Sequence, residues 1–516
     1  MRLQRINGWF YAALCVIAAL PILTIAYPPI VDFPNHAARL HIACHAADYA
    51  GMYEYRLGVI PNLAIDLINL PLCGLVTPER VVLATIALAQ LSICASVWFI
   101  RKRLFGENDA LVLVAPALFL NLVTTMGYAN YLVGIAILFW MMFFLLSRPQ
   151  ASWLALLAIG TLGGIAIFFS HIFALMFAMV AMCGWLWHGR FAGMGWRGAA
   201  LAGLSTVGMF IIPLALVPLA AGSGETGFGV GLSPWSKIRA VLSPLYTNNI
   251  TLDIIAAVIW SSAMIILLRA RAFVVAPAMR GALLALLVAC IFLPGRLLDA
   301  VDIDARLFTS FIFLALASAR LEMQARAREV VAALALGTLV LHTALAILIW
   351  RPMSAQVAEW RAASLVLPAR ASVLTVEATR GPLMYTTTRM SYAHLMSYAT
   401  IDRHIFNPYE FTGKGMQPMV AVGAYEPLDT PVGVPLKPDI ARLTFGPPSP
   451  TPKWLALMEQ RNMQYTIEWG ARFPYIVYFH FGKAPNFDPR RLRLMTQGSF
   501  FSVLVPKDSA IAHADR

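Results

Sequence analysis

Long apolar runs, separated by short clusters of Arg and Lys, recur along the first 350 residues of the 516-residue chain. An α-helix rises about 1.5 Å per residue, so crossing a hydrocarbon core of about 30 Å takes roughly 20 apolar residues. On that measure about eleven runs are expected to span a membrane: 8–28, 79–100, 109–124, 127–147, 151–170, 172–188, 197–218, 252–269, 279–294, 305–320 and 328–350. The stretch 59–76, "VIPNLAIDLINLPLCGLV", is also apolar, but Pro61, Asp66 and Pro71 suit an interfacial or re-entrant helix better than a twelfth span. After residue 350 the pattern changes to short β-type runs, "ASVLTVEA", "YIVYFHFG" and "FFSVLVP", with proline-rich linkers near "FGPPSPTPKW". The expected architecture is an α-helical polytopic membrane domain over residues 1–350, with a first outer loop at 29–78, followed by a soluble α/β outer domain over 351–516.

Composition agrees with this pattern: 59% of residues are hydrophobic and only 13% charged, against about 25% charged in an ordinary soluble domain. The excess of 39 basic over 26 acidic residues invites a nucleic-acid reading. However, the cations sit between apolar runs, where the positive-inside rule places them, so no nucleic-acid partner is expected. With the amino terminus in the cytoplasm, the inner loops hold Arg2 and Arg5, "RKR" at 101–103, Arg148, Arg190 with Arg197, "RAR" at 269–271 with Arg280, and Arg320, Arg326 and Arg328. Eleven spans then carry the tail to the periplasm of a bacterial cell, with the helices in its inner membrane. The first segment has the charged start of a signal peptide, but it lacks a small-residue cleavage site and reads as a retained helix. Six cysteines are scattered singly without metal or redox spacing, and read as small packing residues.

Ionisable chemistry gathers in "YPPIVDFPNHAARLHIACHAAD", residues 27–48, directly after the first run. Pro34 suits the first turn of a helix, and that helix puts Asp32 and His36 on one face with Arg39 beside them. Asp is equally a favoured helix N-cap, and the local sequence does not separate a cap from a functional carboxylate. His41 and His45 have the i, i+4 spacing of metal ligands, but no Glu lies between them as in "HExxH", which leaves an amphipathic surface as the plainer reading. From Ala110 to Gly224 there is no Asp or Glu, which narrows the outer-side acids before the tail to Asp32, Asp48, Glu54, Asp66, Glu79, Glu225, Asp253, Asp299, Asp302 and Asp304. His171 in "FFSHIF" lies at a hairpin between two apolar runs, where a lone His is commonly a packing residue. The tyrosines of "GYANYLVG", 127–134, suit an interfacial belt. In "GRLLDAVDIDARLF", Arg296 and Arg306 bracket Asp299, Asp302 and Asp304; either Arg can bind a phosphate bidentately or pair with the aspartates.

The arrangement resembles the integral-membrane glycosyltransferases of the GT-C superfamily, which use polyprenyl-phosphate-linked sugars. As sequence, the resemblance rests on "DFPNHAARLHI", "PNLAIDL", "GYANYLVG" and "DIDARLF", and it is strongest to uncharacterised bacterial members that share a D-x-P-N-H opening. It implies an inverting transfer at the periplasmic face to a glycan, lipid or protein acceptor. Asp32 would be the catalytic base, and His36, Arg39, Glu54, Asp66, His171 and Arg306 would bind substrate, with Arg39 and Arg306 facing the leaving phosphate. Many members carry two adjacent acids in the first loop, whereas Phe33 follows Asp32 here, and the acid-free stretch removes a carboxylate used by metal-dependent members. No metal ligands are therefore assigned; a divalent cation stays open as an alternative source of positive charge.

Two other classes fit the pattern less well. A transporter or flippase of a lipid-linked saccharide should carry ionisable groups at mid-membrane on broken helices, and the apolar runs here are nearly free of charge. A non-catalytic assembly subunit would use the tail for docking and leave the first-loop residues structural.

Overall fold

The computed structural model describes residues 6–220, 233–246, 249–297, 300–377, 392–413, 415–430, 435–436, 440–441, 443, 452–460, 462–466, 468–480 and 486–507. Arg2, Arg5, Asp299 and most of the "FGPPSPTPKW" linker lie outside the described residues. The chain is a polytopic α-helical membrane protein with a small sheet domain near its carboxy terminus. Among the described residues six helices are long and apolar enough to cross a membrane: Pro78–Phe105, Ala129–Ser147, Trp153–Ser170, Gly195–Ala220, Thr251–Arg269 and Ala325–Ser364. Four shorter apolar segments, Gly8–Thr24, Ala110–Met126, Ile172–His188 and Pro277–Phe292, accompany them.

Tertiary contacts divide the chain into two units that do not follow sequence order. The first comprises Met1–Ile25, Val59–Leu67 and Leu83–Ile349; the second comprises Ala26–Gly58, Ile68–Val82 and Trp350–Arg516.

In the first unit the helices start where polar side chains replace missing backbone partners. Asn7 accepts from the Trp9 amide at 2.7 Å, and Ser152 from that of Ala155 at 3.2 Å. The run 109–124, expected as one span, is broken into a 3-10 turn Ala110–Leu113 and the short helices Val114–Ala117 and Leu122–Met126. Pro116 offers no backbone donor, and Asn121 caps the second piece by accepting from the Thr124 amide at 3.1 Å. Where Ile172–His188 meets Arg280–Phe292 the backbones approach through Gly184 and Gly281: a Cβ on Gly281 would lie 2.1 Å from the Gly184 carbonyl oxygen. Helices without a hydrophobic drive to associate pack through such small residues. Arg101, near the end of helix Pro78–Phe105, also has a packing role. Fully buried, it donates to the Leu316 carbonyl at 2.7 Å, to the Ala319 carbonyl, and to Asp109 at 2.7 Å. It thus satisfies carbonyls at the end of helix Ile303–Ser318 that would otherwise lack partners.

The second unit is built on a four-stranded sheet in the order Val373–Glu377, Tyr475–Phe479, Phe501–Pro506, Leu492–Gln497; the first pair is parallel and the others antiparallel. On one side Trp360 sets its indole edge-on against Phe479 and Phe501, each with ring centroids 5.1 Å away. Leu374, Val376, Ile476 and Leu504 enter a core with Tyr49, Tyr53 and Trp469. Burial on both faces accounts for the continuous apolar runs recognised in the sequence. The edge strand "LRLMTQ" offers no uninterrupted apolar run, since Arg493, Thr496 and Gln497 break it, and most of it is exposed, Leu494 and Met495 included. Residues of the first loop are part of this unit, and Tyr53–Tyr55 pairs antiparallel with Met419–Ala421. Arg361 fastens the region further, holding Asp402 through two nitrogens and Glu79 at 3.2 Å.

Two of the six cysteines are not packing residues. Cys44, at the end of helix Phe33–Cys44, and Cys73 form a disulfide across a Cα separation of 5.5 Å. Their spacing of 29 residues carries no motif, so only the folded path of the loop reveals the pair.

Candidate functional site

Two clusters of buried polar groups stand out, one in each unit. In the second unit Asp32 precedes helix Phe33–Cys44, and its carboxylate makes no capping hydrogen bond to the helix. The N-cap reading is thus removed. The face bearing Asp32, Asn35, His36 and Arg39 is packed against the segment 394–417. Arg39, fully buried, donates to the Gln417 side chain, and His36 sets its ring edge against Phe411 at 5.5 Å. Asn35 is held on both ends of its amide: Oδ1 accepts from the Phe411 amide at 2.9 Å, and Nδ2 donates to the Tyr409 carbonyl at 3.0 Å. His394 lies between Asn35 and Asp32. Its Nδ1 is 3.3 Å from Asn35 Nδ2 and its Nε2 is 3.7 Å from Asp32 Oδ1. Burial lowers the His394 pKa to about 4, so the ring is neutral at pH 7.

Behind this face, Glu410 is buried and accepts from Ser397 at 3.0 Å, Thr400 at 2.7 Å and Asn407 at 3.0 Å. Burial outweighs those hydrogen bonds and raises its pKa to about 7. Glu54 stands elsewhere, half-exposed on Tyr53–Tyr55 and paired with Arg56 at 2.5 Å. His41 stacks on His45 with centroids 4.2 Å apart and faces Tyr49 and His404. Burial, then His45 and His404, lowers the His41 pKa to about 4. Among the described residues no group of three or more His, Cys, Asp or Glu side chains is placed to hold a metal ion.

In the first unit the cluster centres on Arg306, in helix Ile303–Ser318. Both described aspartates of its motif have other cationic partners: Asp302 is bridged by Arg239 at 2.8 and 3.0 Å, and Asp304 lies 3.5 Å from Lys237. Among the described residues Arg306 meets no carboxylate. Its guanidinium carbon lies 3.4 Å from the Tyr128 ring centroid, Nη1 is 3.2 Å from His171 Nε2, and Nε has no hydrogen-bond partner among the described residues. The His171 contact is frustrated. Nδ1 accepts from the Phe173 amide at 3.1 Å to cap helix Ile172–His188. A neutral imidazole has one acceptor nitrogen, so Nε2 then carries the proton and confronts an arginine N–H, donor against donor.

Tyr128 and Tyr131 are buried here rather than standing in an interfacial belt. Tyr128 donates to Asp302 at 3.1 Å, and Tyr131 donates to the Arg306 carbonyl at 3.0 Å and sets its ring edge against His171. Asp66, fully buried, lies in the short helix Ala64–Asn69. At about 1.5 Å per residue such a helix is far too short to span. Its start is held by Asn130, which accepts from the Ile65 amide at 2.9 Å and donates to the Asn62 carbonyl at 2.8 Å. Arg296 is exposed on a two-residue strand.

The sequence reading thus named residues in both clusters but missed Asn35 and His394. Asn35 sits inside the D-x-P-N-H motif, but an amide does not titrate and nothing in the local sequence marks it as functional. His394 is 359 residues from Asn35 and has no local signal.

No protein-family model matches the chain, and no curated protein sequence does. Among solved structures it is similar to ArnT from Cupriavidus metallidurans bound to undecaprenyl phosphate, with a TM-score of 0.50 and 13% identity, covering 96% of this chain and 98% of that one. The apo form of the same protein gives a TM-score of 0.49 at 13% identity. At this identity the likeness establishes the fold over nearly the whole chain.

Proposed function

We propose that the protein is a membrane glycosyltransferase of the GT-C kind, which transfers a sugar from a polyprenyl-phosphate-linked donor to a glycan, lipid or protein acceptor. The observation that carries this reading is Arg306: a buried guanidinium with an unpartnered Nε and an Nη1 pressed against a second donor. A phosphate oxygen accepted between Arg306 and His171 would remove the donor conflict and supply the missing charge. Similarity of fold to a protein crystallised with undecaprenyl phosphate supports the same ligand class.

Roles are assigned group by group. Arg306 and His171 bind the donor phosphate, with Tyr128 stacking on the guanidinium, and Asp32 is the base. As the acceptor oxygen attacks the anomeric carbon, its proton passes to the Asp32 carboxylate. The bond from that carbon to the phosphate oxygen breaks, its electron pair leaves with the lipid phosphate, and the anomeric configuration inverts. The leaving group is already a phosphate, so it needs positive charge more than a general acid. Arg39, held in place by its donation to the Gln417 side chain, binds a substrate oxygen. The disulfide Cys44–Cys73 supports a periplasmic location for the loop that carries Asp32, because such bonds persist in oxidising compartments. The helices accordingly belong to a bacterial inner membrane with the amino terminus inside.

The test is whether purified protein in detergent consumes an undecaprenyl-phosphate-linked radiolabelled sugar when native membranes supply acceptors. Transfer that is lost in Asp32→Asn is expected. A donor left chemically intact, or an Asn variant at wild-type rate, defeats the reading; a flippase would leave the donor intact.

A further inference from the structure

We infer that His394 is the positioning residue for Asp32, held by Asn35 as the neutral tautomer that carries its proton on Nε2. This rests on the base role proposed for Asp32, but the chain of donors and acceptors stands by itself. The Phe411 amide can only donate and the Tyr409 carbonyl can only accept, so together they fix which end of the Asn35 amide is oxygen and which is nitrogen. The nitrogen therefore faces His394 Nδ1 at 3.3 Å, and Nδ1 must accept. In a neutral ring the proton then sits on Nε2, the atom 3.7 Å from Asp32 Oδ1. The imidazolium form would set an Nδ1–H against the Asn35 N–H; burial disfavours it as well. Phe411, edge-on to His394 at 5.1 Å, limits rotation of the ring.

A neutral N–H suits a base better than a cation would. It directs one carboxylate oxygen and favours the ionised form without quenching its basicity as a guanidinium would. At 3.7 Å the contact is longer than a hydrogen bond, and catalytic contacts of this kind commonly tighten when substrate binds. His394 takes no proton in the reaction.

Two measurements test this, one of them independent of activity. In protein with ¹⁵N-labelled imidazoles, the His394 resonance, identified by its loss in His394→Phe, should show a protonated Nε2 and a bare Nδ1 at pH 7. Asn35→Asp, which presents an acceptor instead of a donor, should move the proton to Nδ1. A wild-type Nδ1–H tautomer, an imidazolium, or no tautomer change in Asn35→Asp overturns the assignment. In transfer assays with an undecaprenyl-phosphate-linked sugar, His394→Phe should lower kcat about ten- to a hundredfold with KM within about twofold. His394→Asn, whose amide N–H can still address the carboxylate, should recover part of that loss. If wild-type protein transfers sugar and Asp32→Asn does not, while His394→Phe keeps its kcat, the positioning role fails alone. If wild-type protein transfers nothing, the glycosyltransferase reading fails and takes the positioning role with it, whatever the tautomer.

Discussion

Replacing Arg306 with Met separates a ligand-binding arginine from a structural one. In a buried ion pair, removing one partner typically costs about 3–5 kcal/mol because a charge is left behind. Arg306 has no carboxylate partner among the described residues, and its contact with His171 is donor against donor. Without ligand, Arg306→Met loses the stacking on Tyr128, about 1–2 kcal/mol, and relieves that conflict, so its stability should change by less than about 2 kcal/mol. Binding should behave differently. A phosphate held by Nη1 and Nε gains two charge-assisted hydrogen bonds, each about 1.5–3 kcal/mol. Taking the low end, about 3 kcal/mol, the Kd for undecaprenyl phosphate rises about a hundredfold, at 1.4 kcal/mol per factor of ten. Melting curves in detergent, with and without undecaprenyl phosphate, read both effects. A ligand-induced rise in Tm is expected for the wild type and should be nearly abolished in the variant. A variant that keeps its rise, or a ligand-free variant destabilised by 3 kcal/mol or more, refutes the reasoning.

Further outcomes follow from the same geometry. Asp32→Asn should lower transfer by about 10²–10⁴-fold, the usual worth of a positioned base, with an unchanged melting curve. The Cys44–Cys73 bond closes a segment of 29 residues, for which chain entropy gives about 3–4 kcal/mol; a linked peptide should appear in non-reducing digests, and a Cys44→Ala, Cys73→Ala protein should lose about that much. Glu410 has a pKa raised from 4.5 to about 7, so the folded state holds its proton more tightly than the unfolded one. Its stabilising share is complete below about pH 4.5 and is lost as pH rises through 7, up to about 3 kcal/mol. His41 and His394, with lowered pKa values, act in the opposite direction, so the Glu410 effect is read as the pH-dependent difference between wild type and Glu410→Gln. Gly281→Val should force Ile172–His188 and Arg280–Phe292 apart and cost several kcal/mol, measured as a lower Tm; an unchanged Tm would mean the helices do not touch there.

Apolar periodicity along the chain determined most of the helices, since a span must satisfy its own backbone and bury or expose a long apolar surface to lipid, and both demands are written locally. It also marked the segments bearing three strands of the sheet, because a sheet covered on both faces needs uninterrupted apolar runs. Local spacing placed Asp32, His36 and Arg39 on one helix face. Tertiary structure alone decided what that face meets. The tautomer of His394 depends on an amide 359 residues away and on two backbone groups that orient it. Among the described residues, Arg306 meets no carboxylate because Arg239 and Lys237 have taken Asp302 and Asp304. The disulfide, the burial of Arg101 and the inward turn of Tyr128 and Tyr131 are of the same kind. In each case the deciding quantity is which donors, acceptors and charges come within a few ångströms, and that follows from how distant segments pack rather than from spacing along the chain.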